Sequence, residues 1–194
     1  MVFRLIFLIL FLIIGVLFTV GYNFFPLINF KNELYKGKIY IDKIELTSQN
    51  VSIKESNVSV PSSTNVPTNN TITYKYSNLP INNSYKMVLN YLYYGCIITS
   101  CLIGSGIVLS YLQMKFFSKI LFILAQTFMT TFVGIIIFMY YSSSFIKSLI
   151  PYGNSNAIPE EYKNVKPSYD SGSILIILSS IMMIVNYIVY SFIG

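Results

Sequence analysis

The chain has 194 residues, of which 54% are hydrophobic and 10% charged, with a formal net charge of +6. Soluble domains carry about 25% charged residues, so this composition excludes a surface wetted on all sides and calls for apolar side chains that face lipid. The 13 Lys/Arg against 7 Asp/Glu contain no basic cluster interleaved with aromatics, which sets nucleic acid aside as a partner.

A helix crosses the roughly 30 Å hydrocarbon core with about 20 apolar residues. After a short N-terminus (1–4) that ends in Arg4, the first such segment covers residues 5–25. It reads as an uncleaved signal-anchor; the alternative, a cleavable signal peptide, offers only Thr19-Val20-Gly21 as a small-residue cleavage site. The second span covers 88–112, the third 120–141 and the fourth 173–193, and none of the four contains Asp, Glu, Lys or Arg. The expected fold is an all-α membrane protein, a four-helix transmembrane bundle with a small β-rich external first loop.

The first loop, 26–87, holds seven lysines and four acids. Residues 38–46 alternate apolar and polar side chains, a strand pattern, and 51–54 and 71–76 are shorter strands of the same kind. Between them 61–70 is polar and Pro-containing and reads as a linker. The loop also carries four N-glycosylation sequons, at Asn50, Asn57, Asn69 and Asn82, and no other part of the chain carries one. These predict an external or lumenal first loop.

The hairpin 113–119 holds Lys115 and Lys119 without an acid, which predicts a cytoplasmic hairpin and cytoplasmic termini. In that orientation Tyr22, Phe24, Phe25, Tyr91, Tyr93, Tyr94, Tyr140 and Tyr141 gather as an aromatic belt at the outer interface. The second outer loop, 142–172, has a turn at 151–154, a short interfacial helix expected at 158–162, and the acids Glu160, Glu161 and Asp170; it reads as a solvated connection.

Catalytic chemistry has little to draw on. The chain lacks histidine, its acids lie in loops without motif spacing, and no phosphate-binding glycine loop is present, so no enzyme, cofactor or metal site is expected. Cys96 and Cys101 are about 140° apart on a helix and face different ways, which disfavours a disulfide. No span holds an ionisable residue of the kind that marks an ion path.

Small and amide side chains in the spans predict helix packing instead. Cys96, Ser100 and Gly104 recur every four residues, with Gly95, Thr99, Ser105 and Gly106 near that face, and Gln126, Thr130 and Gly134 repeat the spacing in the third span. Gln126 and Thr130 are expected to bond to the second or fourth span, where Ser179, Ser180 and Asn186 are available. On this reading Gly104→Leu disrupts the bundle or its assembly.

The order of elements resembles claudin-like four-span proteins: a long strand-bearing first outer loop, a tight inner hairpin and a shorter second loop. Pro26-Leu27-Ile28-Asn29-Phe30 followed by residues 38–48 is similar to the start of the first loop in fungal PalI and eisosome-type members. The tryptophan motif and loop cysteine pair of claudin-like loops are absent, so the resemblance implies an architecture and a loose organising role but assigns no residues. The function expected is that of a non-enzymatic membrane protein organising lipid or protein partners through its first loop and helix faces, with self-association as one form of this. A channel or transporter subunit with its pore between copies is the alternative. The plasma membrane or another secretory-pathway membrane is the expected location.

Overall fold

The computed structural model describes residues 2–31, 35–48, 71–75, 83–142, 144–146 and 165–193. Four helices long and apolar enough to cross a membrane dominate it: α1 (Val2–Phe24), α2 (Asn83–Tyr111), α3 (Lys115–Tyr141) and α4 (Ser171–Ile193). The protein is a multi-pass membrane protein. The bundle and the β-rich loop are as the sequence predicts, but the sheet is larger.

The expected hairpin of 113–119 is shorter in the structure. α2 ends in a Schellman turn: Met114 N–H donates to Leu109 O (2.9 Å) and Gln113 N–H to Ser110 O (3.1 Å). Gln113 takes the left-handed conformation, with φ 63°. Lys115 and Lys119 therefore belong to the first turns of α3, not to a loop.

Neighbours are antiparallel, with α1 packed mainly on α4 and α2 on α3. The core is aromatic where three helices meet. The rings of Phe11 and Phe122 stack at 3.9 Å, and Tyr190 meets their edges at 5.6 and 5.9 Å. Glycines let the thick side chains in. A Cβ on Gly95 would meet the Phe132 ring at 2.6 Å, and one on Gly106 the Phe122 ring at 2.7 Å. Large apolar side chains elsewhere on the helices, such as Leu12, Val108 and Ile181, point outward, as a lipid solvent requires.

At the end opposite the hairpin lies one five-stranded antiparallel sheet of order β4-β3-β2-β1-β5. Its strands are β1 (Ile28–Lys31), β2 (Tyr35–Ile39), β3 (Lys43–Ser48), β4 (Thr71–Lys75) and β5 (Lys166–Tyr169). The alternating run 38–46 is not one strand but parts of two. It reverses at residues 40–42, closed by Tyr40 N–H to Lys43 O at 2.9 Å, with Ile41 buried at the turn. Ile28, Phe30, Ile39, Ile44 and Leu46 fill the buried face. Gly37 is paired with Phe30, whose ring occupies the space a Cβ would need.

The sheet is bolted to the bundle where α1 ends and α4 begins. Asp170 N–H donates to Leu27 O and Gly172 N–H to Pro26 O, each at 3.1 Å. Ser173 Oγ donates to Leu27 O. A Cβ on Gly172 would collide with the carbonyls of Pro26, Phe25 and Gly21, so only glycine lets the two chain segments approach this closely. Tyr140 at the end of α3 stacks on Tyr169 of β5 at 4.3 Å.

Candidate functional site

The face of the sheet turned away from its buried side chains carries charge. Strand register lines up Thr71, Thr47, Lys36, Lys31 and Lys166 in one row across all five strands. Adjacent strands are about 4.8 Å apart, so Lys36, Lys31 and Lys166 form three neighbouring cations, all exposed. The next row runs Thr73, Glu45, Lys38, Asn29 and Ser168, and Lys43 pairs with Lys75 beyond it. The five strands thus hold six lysines and one carboxylate, Glu45. Like charges directly opposite one another weaken a sheet, so the row costs stability that the apolar face beneath must offset.

Glu45 has its own partners. Lys43 Nζ lies 2.8 Å from its Oε1, Tyr40 Oη donates to Oε2 at 3.1 Å, and Lys43 sits 4.7 Å over the Tyr40 ring. The Lys43 hydrogen bond holds the Glu45 carboxyl below its ordinary value, and the same bond raises Lys43. Partial burial, then the bond to the Glu45 carboxylate, raises Tyr40. Glu45 is thereby spoken for, and among the described residues no carboxylate stands in register beside the row Lys36–Lys31–Lys166. Asp170 is engaged at the start of α4, accepting from Ser171 N–H at 2.6 Å and Ser171 Oγ at 3.0 Å, a favourable place for an anion.

The hairpin end is capped by cations. Arg4 donates to Ser110 O and, at 3.3 Å, to Ser110 Oγ. Ser110 Oγ and Tyr190 Oη are 2.7 Å apart. Lys119 Nζ reaches Ser191 O at 3.5 Å. Arg4 and Lys119 thus meet the carbonyl ends of α2 and α4, where positive charge is stabilising.

The sequence-predicted packing residues divide. Cys96 is buried in the core, while Cys101 is exposed, as their angular separation predicts. Ser100 ties α2 to α1, with Thr19 Oγ1 at 3.0 Å and Tyr22 Oη at 3.3 Å. Asn186 Nδ2 donates to Phe7 O of α1 at 3.3 Å, rather than to α3. Gly104 is a correction: a Cβ there meets nothing within 4 Å, and the packed face of α2 instead runs through Gly95, Thr99, Ile103 and Gly106. Gly134 likewise faces open space, and Thr130 is exposed. Tyr22 is buried rather than in the aromatic belt, whereas Phe24, Tyr91, Tyr94 and Tyr141 are exposed. Sequence reasoning missed Gly15, Gly21 and Gly172, which sit in close contacts at Ile103, Leu175 and Pro26 respectively.

Gln126 and Thr130 lie on a lipid-facing groove of about 370 Å³ between α3 and α4, lined by Ile123, Gln126, Thr127, Thr130, Thr131 and Tyr187. Gln126 Nε2 donates to Thr130 Oγ1 at 2.9 Å and approaches Ser180 Oγ of α4 at 3.5 Å. Its Oε1 is sealed from solvent and has no hydrogen-bond partner.

Asn50, Asn57, Asn69 and Asn82, the strand expected at 51–54, the linker 61–70 and the residues Glu160 and Glu161 all lie outside the described residues. Among the described residues, no three His, Cys, Asp or Glu side chains come together as a metal site would need. No protein-family model matches the chain, and neither does any curated protein sequence.

Proposed function

We propose that the protein is a non-enzymatic membrane organiser that docks acidic partner proteins on its lysine-bearing sheet. The carrying observation is the row Lys36–Lys31–Lys166, built from strands of both outer loops and lacking a paired carboxylate among the described residues. Natural sheets avoid stacking like charges unless something else compensates, and an acidic surface is the natural complement. Lysine, a flexible point charge, suits such a diffuse electrostatic contact better than a fixed bidentate one. The claudin-like order of helices and strand-bearing loops supports the same organising role.

In this proposal the sheet faces the exterior or lumen of a secretory-pathway or plasma membrane, and both termini and the hairpin are cytoplasmic. The basic hairpin, with Arg4, Lys115 and Lys119, supports that orientation, as do the sequons at Asn50, Asn57, Asn69 and Asn82. Endoglycosidase treatment of protein from its native cells, with Asn50, Asn57 and Asn69 each changed to Gln, tests it. A mobility shift that shrinks with each change is expected; no shift counts against the orientation.

The docking role is tested by cross-linking in native membranes followed by purification. Replacing Lys31, Lys36 and Lys166 together by Gln should lose the captured acidic partners, and raising salt should weaken capture of the unaltered chain. Partners retained at full yield by the triple variant would sink the proposal. The Gln126, Thr127, Thr130 and Thr131 side chains in the groove on α3 favour a second reading, a pore subunit, and conductance of the reconstituted protein in bilayers would favour that reading instead.

A further inference from the structure

Charge is divided unevenly between the two ends of the bundle. All seven acidic residues lie in the loops 26–87 and 142–172, which leave the bundle at the sheet end. The hairpin end keeps Arg4, Lys115 and Lys119 and no acidic side chain. Arg4 directly precedes the uncharged run 5–25, and Lys119 directly precedes 120–141. Both cations therefore stand where the hydrocarbon core gives way to headgroups.

Their surroundings connect them. Arg4 donates to Ser110 O and Oγ, and Ser110 Oγ meets Tyr190 Oη. Lys119 Nζ lies 6.0 Å from the centre of the Tyr190 ring and reaches Ser191 O only at 3.5 Å, the outer limit of a hydrogen bond. Tyr190 thus links the two cations, and among the described residues neither has a carboxylate to neutralise it. Both side chains are half-buried and open outward. Arg4 Nε is sealed within the chain, but the opposite edge of the guanidinium is not. Among the described residues every hydrogen bond from Arg4 leaves through Nη2, which keeps the two N–H donors of Nη1 uncommitted and accessible.

A guanidinium half withdrawn from water costs free energy unless an anion pairs with it. Phospholipid phosphates are the anions found at this depth, and hydrogen bonds between two ionised groups are the strong ones. Lys119 adds a point charge on a flexible stem, which needs no fixed geometry to join the same phosphate. Exposed Phe116 and Phe117 offer apolar surface to the acyl chains beside it.

We propose that the hairpin end binds an anionic phospholipid, with its phosphate held by Arg4 Nη1 and Lys119. Anionic lipids are concentrated in the cytoplasmic leaflet, the side on which the proposed orientation puts this end; the sheet and its partners play no part. Once bound, the lipid neutralises Arg4 and strengthens the Arg4–Ser110–Tyr190 link that joins α1, α2 and α4.

The test uses the full-length protein in an uncharged detergent, with phosphatidylglycerol, phosphatidylcholine or inorganic phosphate added at one concentration. Retained lipid is counted by native mass spectrometry, and the unfolding midpoint is read with and without each addition. Phosphatidylglycerol, whose only charge is its phosphate, should be retained and should raise the midpoint, as a ligand of the native state must. Phosphatidylcholine and inorganic phosphate should do neither. Arg4→Gln and Lys119→Gln should each weaken retention about fivefold, the scale of one cation at an anionic surface. Joint replacement of Lys31, Lys36 and Lys166 by Gln should leave retention unchanged. If Arg4→Gln does not fold, Lys119→Gln decides, because its one long hydrogen bond holds little together. Equal retention of phosphatidylcholine, a full shift from inorganic phosphate alone, undiminished retention in folded Lys119→Gln, or retention lost with the sheet lysines would each overturn the proposal. No retention in a protein that still captures acidic partners would overturn the lipid site and leave the sheet proposal standing.

Discussion

Gln113 holds a left-handed conformation with a side chain that resists it. Most helices that end in this turn place glycine there, because a Cβ costs about 1 kcal/mol or more in that region. Gln113→Gly is therefore expected to stabilise the protein by about 1 kcal/mol, measured as a rise in unfolding midpoint in a fixed detergent. Asn186 leads to a different expectation. Its Nδ2 makes one long bond to Phe7 O, and its Oδ1 is buried without a partner. Asn186→Leu removes a weak bond and an orphaned oxygen together, so stability should stay within about 1 kcal/mol of the parent. Gly172→Ala should behave otherwise, losing about 1–3 kcal/mol or more, since three backbone carbonyls stand where its methyl would go and none can swing aside. Gly104→Leu, by contrast, is expected to leave thermal stability unchanged.

Among the elements, the sheet responds to pH at both extremes. The folded Glu45 carboxyl sits below its ordinary value, so the stabilisation it gives is complete above the unfolded pKa near 4.3 and fades as pH falls through the lower folded value. Lys43 and Tyr40 are raised in the folded protein, so their contributions are complete below about pH 10 and fade as pH rises through the folded values. Sheet stability, followed by amide exchange in β3, should be flat across the neutral range and fall at both ends. Glu45→Gln should remove most of the acid limb.

The same element shows why the sequence was only partly legible. Alternation revealed strands within 38–46, yet buried Ile41 carries it into the turn at 40–42, and the reversal is marked only where adjacent Asp42 and Lys43 shift the apolar positions from odd to even. β5 reads Lys-Pro-Ser-Tyr, with neither alternation nor a run of strand formers; it is a strand because β1 offers it an edge. Four-residue spacing found a small-residue face on α2. It did not say whether Gly104 or the nearby Gly106 turns inward, which depends on the rings that Phe122 and Phe132 bring from α3. The lysine row was invisible for the same reason, since Lys166 is far from Lys31 in the chain and joins it only through pairing.

For the whole molecule, the four spans were plain from the sequence because lipid demands long uncharged runs, and no tertiary contact is needed to see them. How the spans pack was not plain, because lipid-facing and protein-facing side chains are equally apolar and only size and shape separate them. The join of α1 and α4 at Gly172 and the pairing of β1 with β5 have a further consequence, for the order of synthesis. β5 and α4 leave the ribosome after β1–β4 and α1–α3, so until they arrive β1 presents an unpaired edge and Ile28 and Phe30 lack part of their cover. An exposed apolar edge invites wrong pairing. A chain stopped after α3 should therefore be short-lived in cells, and the finished sheet would report to quality control that α4 is in place.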